Sequence, residues 1–149
     1  QHVLLANKRL HMPTAYAVLD VLEQDALATR LRLGAAITAL PIGELATYFT
    51  RLTANGRLHA GMLAYGCTTL ENPQGRTDPA DFSYLEQTFR NSSDEKLRRL
   101  AFAALVGLAR TAQGWTEECL TLQRQYRIDP SLLVADAALF TRSPLDNEE

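Results

Sequence analysis

The stretch DEKLRRLAFAALVGLA, from Asp94 to Ala109, decides the fold of this chain. Its apolar residues recur at intervals of three and four, which is the spacing of one face of an α-helix; they are Leu97, Leu100, Ala101, Ala104, Leu105 and Leu108. The opposite side is also largely apolar, so we expect this helix to be buried on two sides. Ser92 and Glu95 match the S-x-x-E capping box, which predicts that the helix begins there.

Residue usage over the whole chain favours helices as well. The 149 residues include 25 Leu and 21 Ala but only 3 Ile and 5 Val. Leu and Ala lose little conformational freedom in a helix, whereas strands favour the β-branched residues. The composition therefore predicts an all-α protein.

Proline and glycine divide the sequence into eight predicted helices, arranged as four antiparallel pairs. The first helices of the pairs start near positions 14, 44, 79 and 116, and the third has Asp78 as its expected N-cap and Pro79 at its first helical position. A recurring pair of helices at a spacing of about 30–40 residues is typical of stacked α-helical repeats. We therefore expect a single helical repeat domain over 1–149, as a whole protein or as a fragment of a longer one. An internal loop is expected at 72–78 and a solvated tail at 142–149.

Two segments give this pattern a family resemblance. Asp94–Ala109 resembles the inner helix of a HEAT repeat, and DPSLLVADAAL, Asp129–Leu139, resembles the same element with an Asp-Pro start. The match is good over 79–141 and weak over 14–72. The resemblance implies a short right-handed α-solenoid of about four helix pairs, whose second helices line a concave surface for a partner. A compact helical bundle is the alternative architecture.

The sequence contains no pattern typical of an enzyme. Neither a catalytic motif nor a phosphate-binding loop occurs, and the three histidines lack the spacing of a metal site, so no catalytic, cofactor or metal residue is predicted. Cys67 and Cys119 are expected to be buried thiols in a reducing cytoplasm. No apolar run reaches the ~18 residues that would span a bilayer, so no membrane association is predicted.

The expected function is that of a bacterial, non-catalytic scaffold or adaptor that binds another protein. A sensor or regulatory region of a larger NTPase or effector is one alternative. A nucleic-acid-binding repeat using the arginines of the second half is another, but the net charge of −2 does not favour it. The predicted partner-binding residues lie on the second helix of each pair and are Arg32, His59, Arg98, Arg99 and Asp136.

Arg98 and Arg99 are the strongest of these candidates. They are adjacent on the most regular helix, and an exposed Arg can hold a partner's carboxylate through two hydrogen bonds. The simpler interpretation is that they pair with Asp94 or Glu95 and only keep the surface soluble.

Overall fold

The computed structural model describes residues 27–147, and the chain divides into two compact units, 1–33 and 34–149. The sequence predicted one domain, and its first helix, near 14–22, lies outside the described residues. Over 27–147 the chain is helical with no strand, so the prediction of an all-α protein is confirmed for this part.

Seven α-helices and one short 3-10 helix make up the described chain. They are α1 (27–39), α2 (Ile42–Ala54), α3 (Ala60–Glu71), α4 (Pro79–Phe89), α5 (Glu95–Ala109), α6 (Glu117–Arg127), α7 (Leu132–Phe140) and the 3-10 helix Pro144–Asn147. Gly56 directly follows the C-cap of α2 with a φ of 67°, the left-handed conformation that ends a helix at low cost, whereas Gly114, with a φ of 69°, lies in the loop between α5 and α6.

Some of the helices begin where the sequence predicted, and others do not. Asp78 caps α4 by accepting a hydrogen bond from Ala80 N at 2.9 Å, with Pro79 in the first turn, as expected. The prediction of a capping box with Ser92 as the N-cap is wrong. Asp94 is the N-cap of α5 and accepts from Lys96 N at 2.7 Å, because its carboxylate lies one residue before the helix.

The last helix also starts later than predicted. Asp129 and Pro130 were expected to begin it, but α7 begins at Leu132. The Asp129 carboxylate accepts from Ser131 N at 2.9 Å, so it closes a local turn before the helix instead of capping it.

Helix α5 is the centre of the 34–149 unit. It packs against α2, α3, α4, α6 and α7, and every residue from Leu100 to Ala109 is buried. Burial on two sides is therefore confirmed. The second helices α3, α5 and α7 pack in that order, and α2 packs on α4.

The chain after α7 differs from the expected solvated tail. Residues Pro144–Asn147 form the 3-10 helix, and Leu145 is buried. Asp146 accepts hydrogen bonds from Ser143 N at 2.9 Å and from Arg127 Nη2 at 3.3 Å, which hold this turn against α6.

Candidate functional site

A groove runs between the second helices α3, α5 and α7. It encloses about 390 Å³ and is lined by Ala60, Leu63, Ala64, Cys67, Thr68, Lys96, Arg99 and Leu133. Three of the α3 residues, Ala60, Ala64 and Thr68, are exposed and lie four residues apart, so they form one stripe along the helix. The groove thus has mostly apolar walls, with two cationic side chains on α5.

Helix α7 carries an unusual outer face. Only Val134 and Ala138 of its nine residues are buried. The exposed arc consists of Leu132, Leu133, Asp136, Leu139 and Phe140, which we name the α7 face; its apolar members are 73%, 39%, 55% and 79% exposed in that order. A helix on the surface of a soluble protein normally presents polar residues to water. This one presents four large apolar side chains around a single carboxylate.

Two charged side chains border Leu133 without a partner among the described residues. Lys96 lines the groove together with Leu133. Asp136 lies three residues after Leu133 and is therefore its neighbour on the helix surface. Over residues 27–147, neither the ammonium of Lys96 nor the carboxylate of Asp136 makes a hydrogen bond or ion pair. One unpaired charge of each sign therefore flanks the apolar surface.

Arg98, one of the two strongest predicted binding residues, is part of the scaffold. Its Nε and Nη2 donate to the two Asp129 carboxylate oxygens at 3.0 and 3.1 Å, and its Nη1 donates to Ser92 O at 2.9 Å. Its side chain is 16% exposed, so the expectation of an exposed clamp is wrong. Burial alone would raise the pKa of Asp129, but hydrogen bonds from Arg98 and from the Ser131 N–H hold it below its usual range. Arg98 therefore ties α5 to the start of α7.

Arg99 lines the groove but is also engaged inside the protein. Its Nη2 lies 3.7 Å from Glu71 Oε2, and its guanidinium carbon lies 5.8 Å from the centre of the Phe102 ring. Burial raises the pKa of Glu71, although Arg99 and Arg110 act to lower it. The Arg99 side chain is 16% exposed, so reversing its charge would disturb the fold as well as any binding.

The remaining predicted residues occupy different places. His59 is the N-cap of α3, where its Nδ1 accepts from Met62 N at 3.4 Å, and the next residue, Ala60, lines the groove. Arg32 belongs to the 1–33 unit, and its Nε donates to Ala28 O at 3.3 Å. The 34–149 unit thus brings Arg99 and Asp136 to the surroundings of Leu133 and leaves Arg98 in a structural role.

Sequence reasoning missed Lys96 and the apolar members of the α7 face. The signal was present in LLVADAALF, residues Leu132–Phe140, in which Asp136 is the only charged residue of nine. A helix that is apolar on all sides is normally covered on all sides, so this composition alone indicates an outer surface that needs a cover.

The comparisons with known proteins identify no relative. Neither a family model, nor a curated protein, nor a solved structure matches this chain. Within the described range, His, Cys, Asp and Glu side chains do not gather in threes to hold a metal, and no helix has the length and apolarity to cross a membrane.

Several arginines outside the groove also bind acceptors inside the protein. Arg76 donates through Nε to Ile37 O and through Nη1 to Asp81 Oδ2, both at 2.6 Å. Arg110 Nη1 donates to Glu71 O at 2.8 Å, and Arg127 Nε donates to Ala138 O at 3.1 Å. These guanidinium groups connect helices and loops, which leaves fewer of them to contact phosphate groups.

Proposed function

We propose that this chain is a non-catalytic scaffold or adaptor, built as a HEAT-like stack of helical hairpins, that binds another protein along its second helices. The order of packing supports the stack, because α3, α5 and α7 adjoin in sequence while α2 adjoins α4. A stacked repeat buries each hairpin against its neighbours and leaves one row of second helices available to a partner.

The observation that carries the proposal is the continuous surface formed by the groove and the α7 face. Leu133 belongs to both, so apolar surface extends from the Ala60–Ala64 wall across to Phe140. Apolar patches rimmed by charged groups mark protein interaction sites, and an apolar groove between helices fits a partner's helix or loop.

Nucleic acid is a weaker candidate than protein. Phosphate recognition needs cationic side chains that are free to neutralise charge. Arg98 is held by Asp129, and Arg76 by Asp81 and backbone carbonyls, while the net charge of the chain is −2.

Site-specific photo-crosslinking tests the proposal. A benzophenone amino acid replaces Ala64 on the groove wall. In a control it replaces Tyr84, which is exposed on α4, the first helix of its pair and therefore outside the row of second helices. The full chain is expressed in cells that naturally contain it, illuminated, and purified under denaturing conditions. We expect a discrete adduct with a different protein from position 64 and none from position 84. Equal labelling from both positions, or no adduct from position 64, would contradict the proposal.

A further inference from the structure

We propose that a second copy of this chain covers the α7 face, in a two-fold symmetric dimer where Asp136 of each copy pairs with Lys96 of the other. The inference goes beyond the proposed function, because it assigns the α7 face to a second copy and leaves the α3 wall of the groove, where Ala64 lies, to a different protein. Three features of the α7 face support the dimer: its exposed apolar area, its pattern of charge, and the location of Leu133 next to both the apolar and the charged groups.

The area of the α7 face matches the lower limit for a stable dimer. Its four apolar side chains are between 39% and 79% exposed. With roughly 200 Å² for a fully exposed large side chain, they present about 500 Å² of apolar surface. This is near the upper end of what monomers leave uncovered, about 300–600 Å². Two copies with the bordering charged groups would bury about 1,200 Å², where specific interfaces begin.

The charge pattern of this face is complementary to itself. A two-fold axis brings residue i of one copy against residue j of the other and j against i. A face carrying one unpaired cation and one unpaired carboxylate satisfies that rule, since both Lys96–Asp136 contacts form at once. A face with charges of one sign would instead require a foreign partner of opposite charge. The net charge of −2 also leaves little long-range repulsion between copies.

Leu133 places the apolar and charged groups in one contact area. It lies in the groove beside Lys96 and is also one turn from Asp136 along α7. Leu133 and Phe140 are seven residues apart, so they lie on the same side of the helix. The apolar residues can therefore pack against their symmetry mates between the two charge pairs.

The mass of the full chain in solution tests the inference. Sedimentation equilibrium over a range of concentrations should show reversible dimers with a dissociation constant of roughly 10 µM, in keeping with the small interface. Phe140→Asp should weaken the dimer at least about tenfold while circular dichroism stays unchanged, because that ring is mostly solvent-exposed in one copy. Tyr84→Asp, which removes an exposed ring from the other helix layer, is the matched control and should leave the dimer intact.

A charge swap then tests the pairing itself. Asp136→Lys and Lys96→Asp should each weaken the dimer about tenfold, because each contact occurs twice, and the double variant should restore it. Arg51→Asp, an equal charge change at an exposed position of α2, should have no effect. A chain that stays monomeric at about 500 µM overturns the inference. So does a dimer that is insensitive to the α7 variants, or a swap that fails to rescue.

Failure of the dimer and failure of the proposed function give different results. A monomeric chain that still forms an adduct with another protein from position 64 keeps the proposed function and removes the second copy as the partner. A dimer with no foreign adduct from position 64 overturns the binding of another protein and keeps the self-association.

Discussion

Gly107 lies where α5 approaches α3 and α4 so closely that one added methyl group, in the substitution Gly107→Ala, should destabilise the 34–149 unit. An ideal Cβ at this position would lie 2.5 Å from Leu70 O and 2.6 Å from Phe82 Cε1. One obstacle is a backbone carbonyl and the other a fully buried ring, so neither is able to rotate away. Gly107→Ala therefore requires α3 or α4 to move from α5.

The net effect follows from two opposing contributions. Overpacking of a well-packed core costs about 1–3 kcal/mol, and contact with a backbone atom puts this site near 3. Alanine recovers about 1 kcal/mol over glycine in a helix interior. We expect Gly107→Ala to lower the free energy of unfolding by about 2 kcal/mol. With a urea m-value near 2 kcal/mol/M, the midpoint falls by about 1 M.

Gly61→Ala is the matched control for Gly107→Ala. Gly61 is exposed in α3, and a Cβ there would meet only the His59 ring, at 3.5 Å. With helix propensity gained and no clash, Gly61→Ala should raise the free energy of unfolding by about 0.5–1 kcal/mol. Urea unfolding of both variants, followed by circular dichroism, checks the pair. A Gly107→Ala protein as stable as the parent would refute the close approach of these helices.

Further predictions concern the core, acid stability and the thiols. Leu105→Ala should cost about 2–5 kcal/mol in urea unfolding, since Leu105 is fully buried in the central helix; a loss below about 1 kcal/mol would contradict its place there. The lowered pKa of Asp129 means that this carboxylate stabilises the fold above its unfolded-state pKa, and that the contribution disappears as the pH falls through the folded-state value. The difference in free energy of unfolding between the parent and Asp129→Asn should therefore become smaller as the pH falls from about 6 to about 2.5. A difference that does not change with pH would contradict stabilisation by the Arg98–Asp129 ion pair. Burial raises the pKa of the Cys67 thiol to about 12, and Cys119 is also buried. Iodoacetamide near pH 8 should therefore label neither thiol until urea unfolds the chain. Rapid labelling of the folded protein would contradict the burial of these two side chains.

The helices of this protein are largely determined by local sequence. The apolar spacing over Asp94–Ala109 was enough to predict a helix buried on two sides, because a helix repeats its faces every three to four residues whatever surrounds it. Asp78 and Pro79 likewise marked the start of α4 through hydrogen bonding and backbone geometry within one turn. Residues close in sequence supply all of the information for such features.

The role of each charged residue was decided only by the tertiary structure. Arg98 looked like a free surface cation because its partner, Asp129, is 31 residues away and meets it only when α7 packs beside α5. Lys96, two residues earlier, keeps its charge unpaired because no acidic side chain reaches it within the described residues. The sequence could likewise show that α7 is apolar on all sides, but not which side the protein leaves open. That depends on which helices pack against it, and packing partners are set by contacts between distant parts of the chain, which no local spacing encodes.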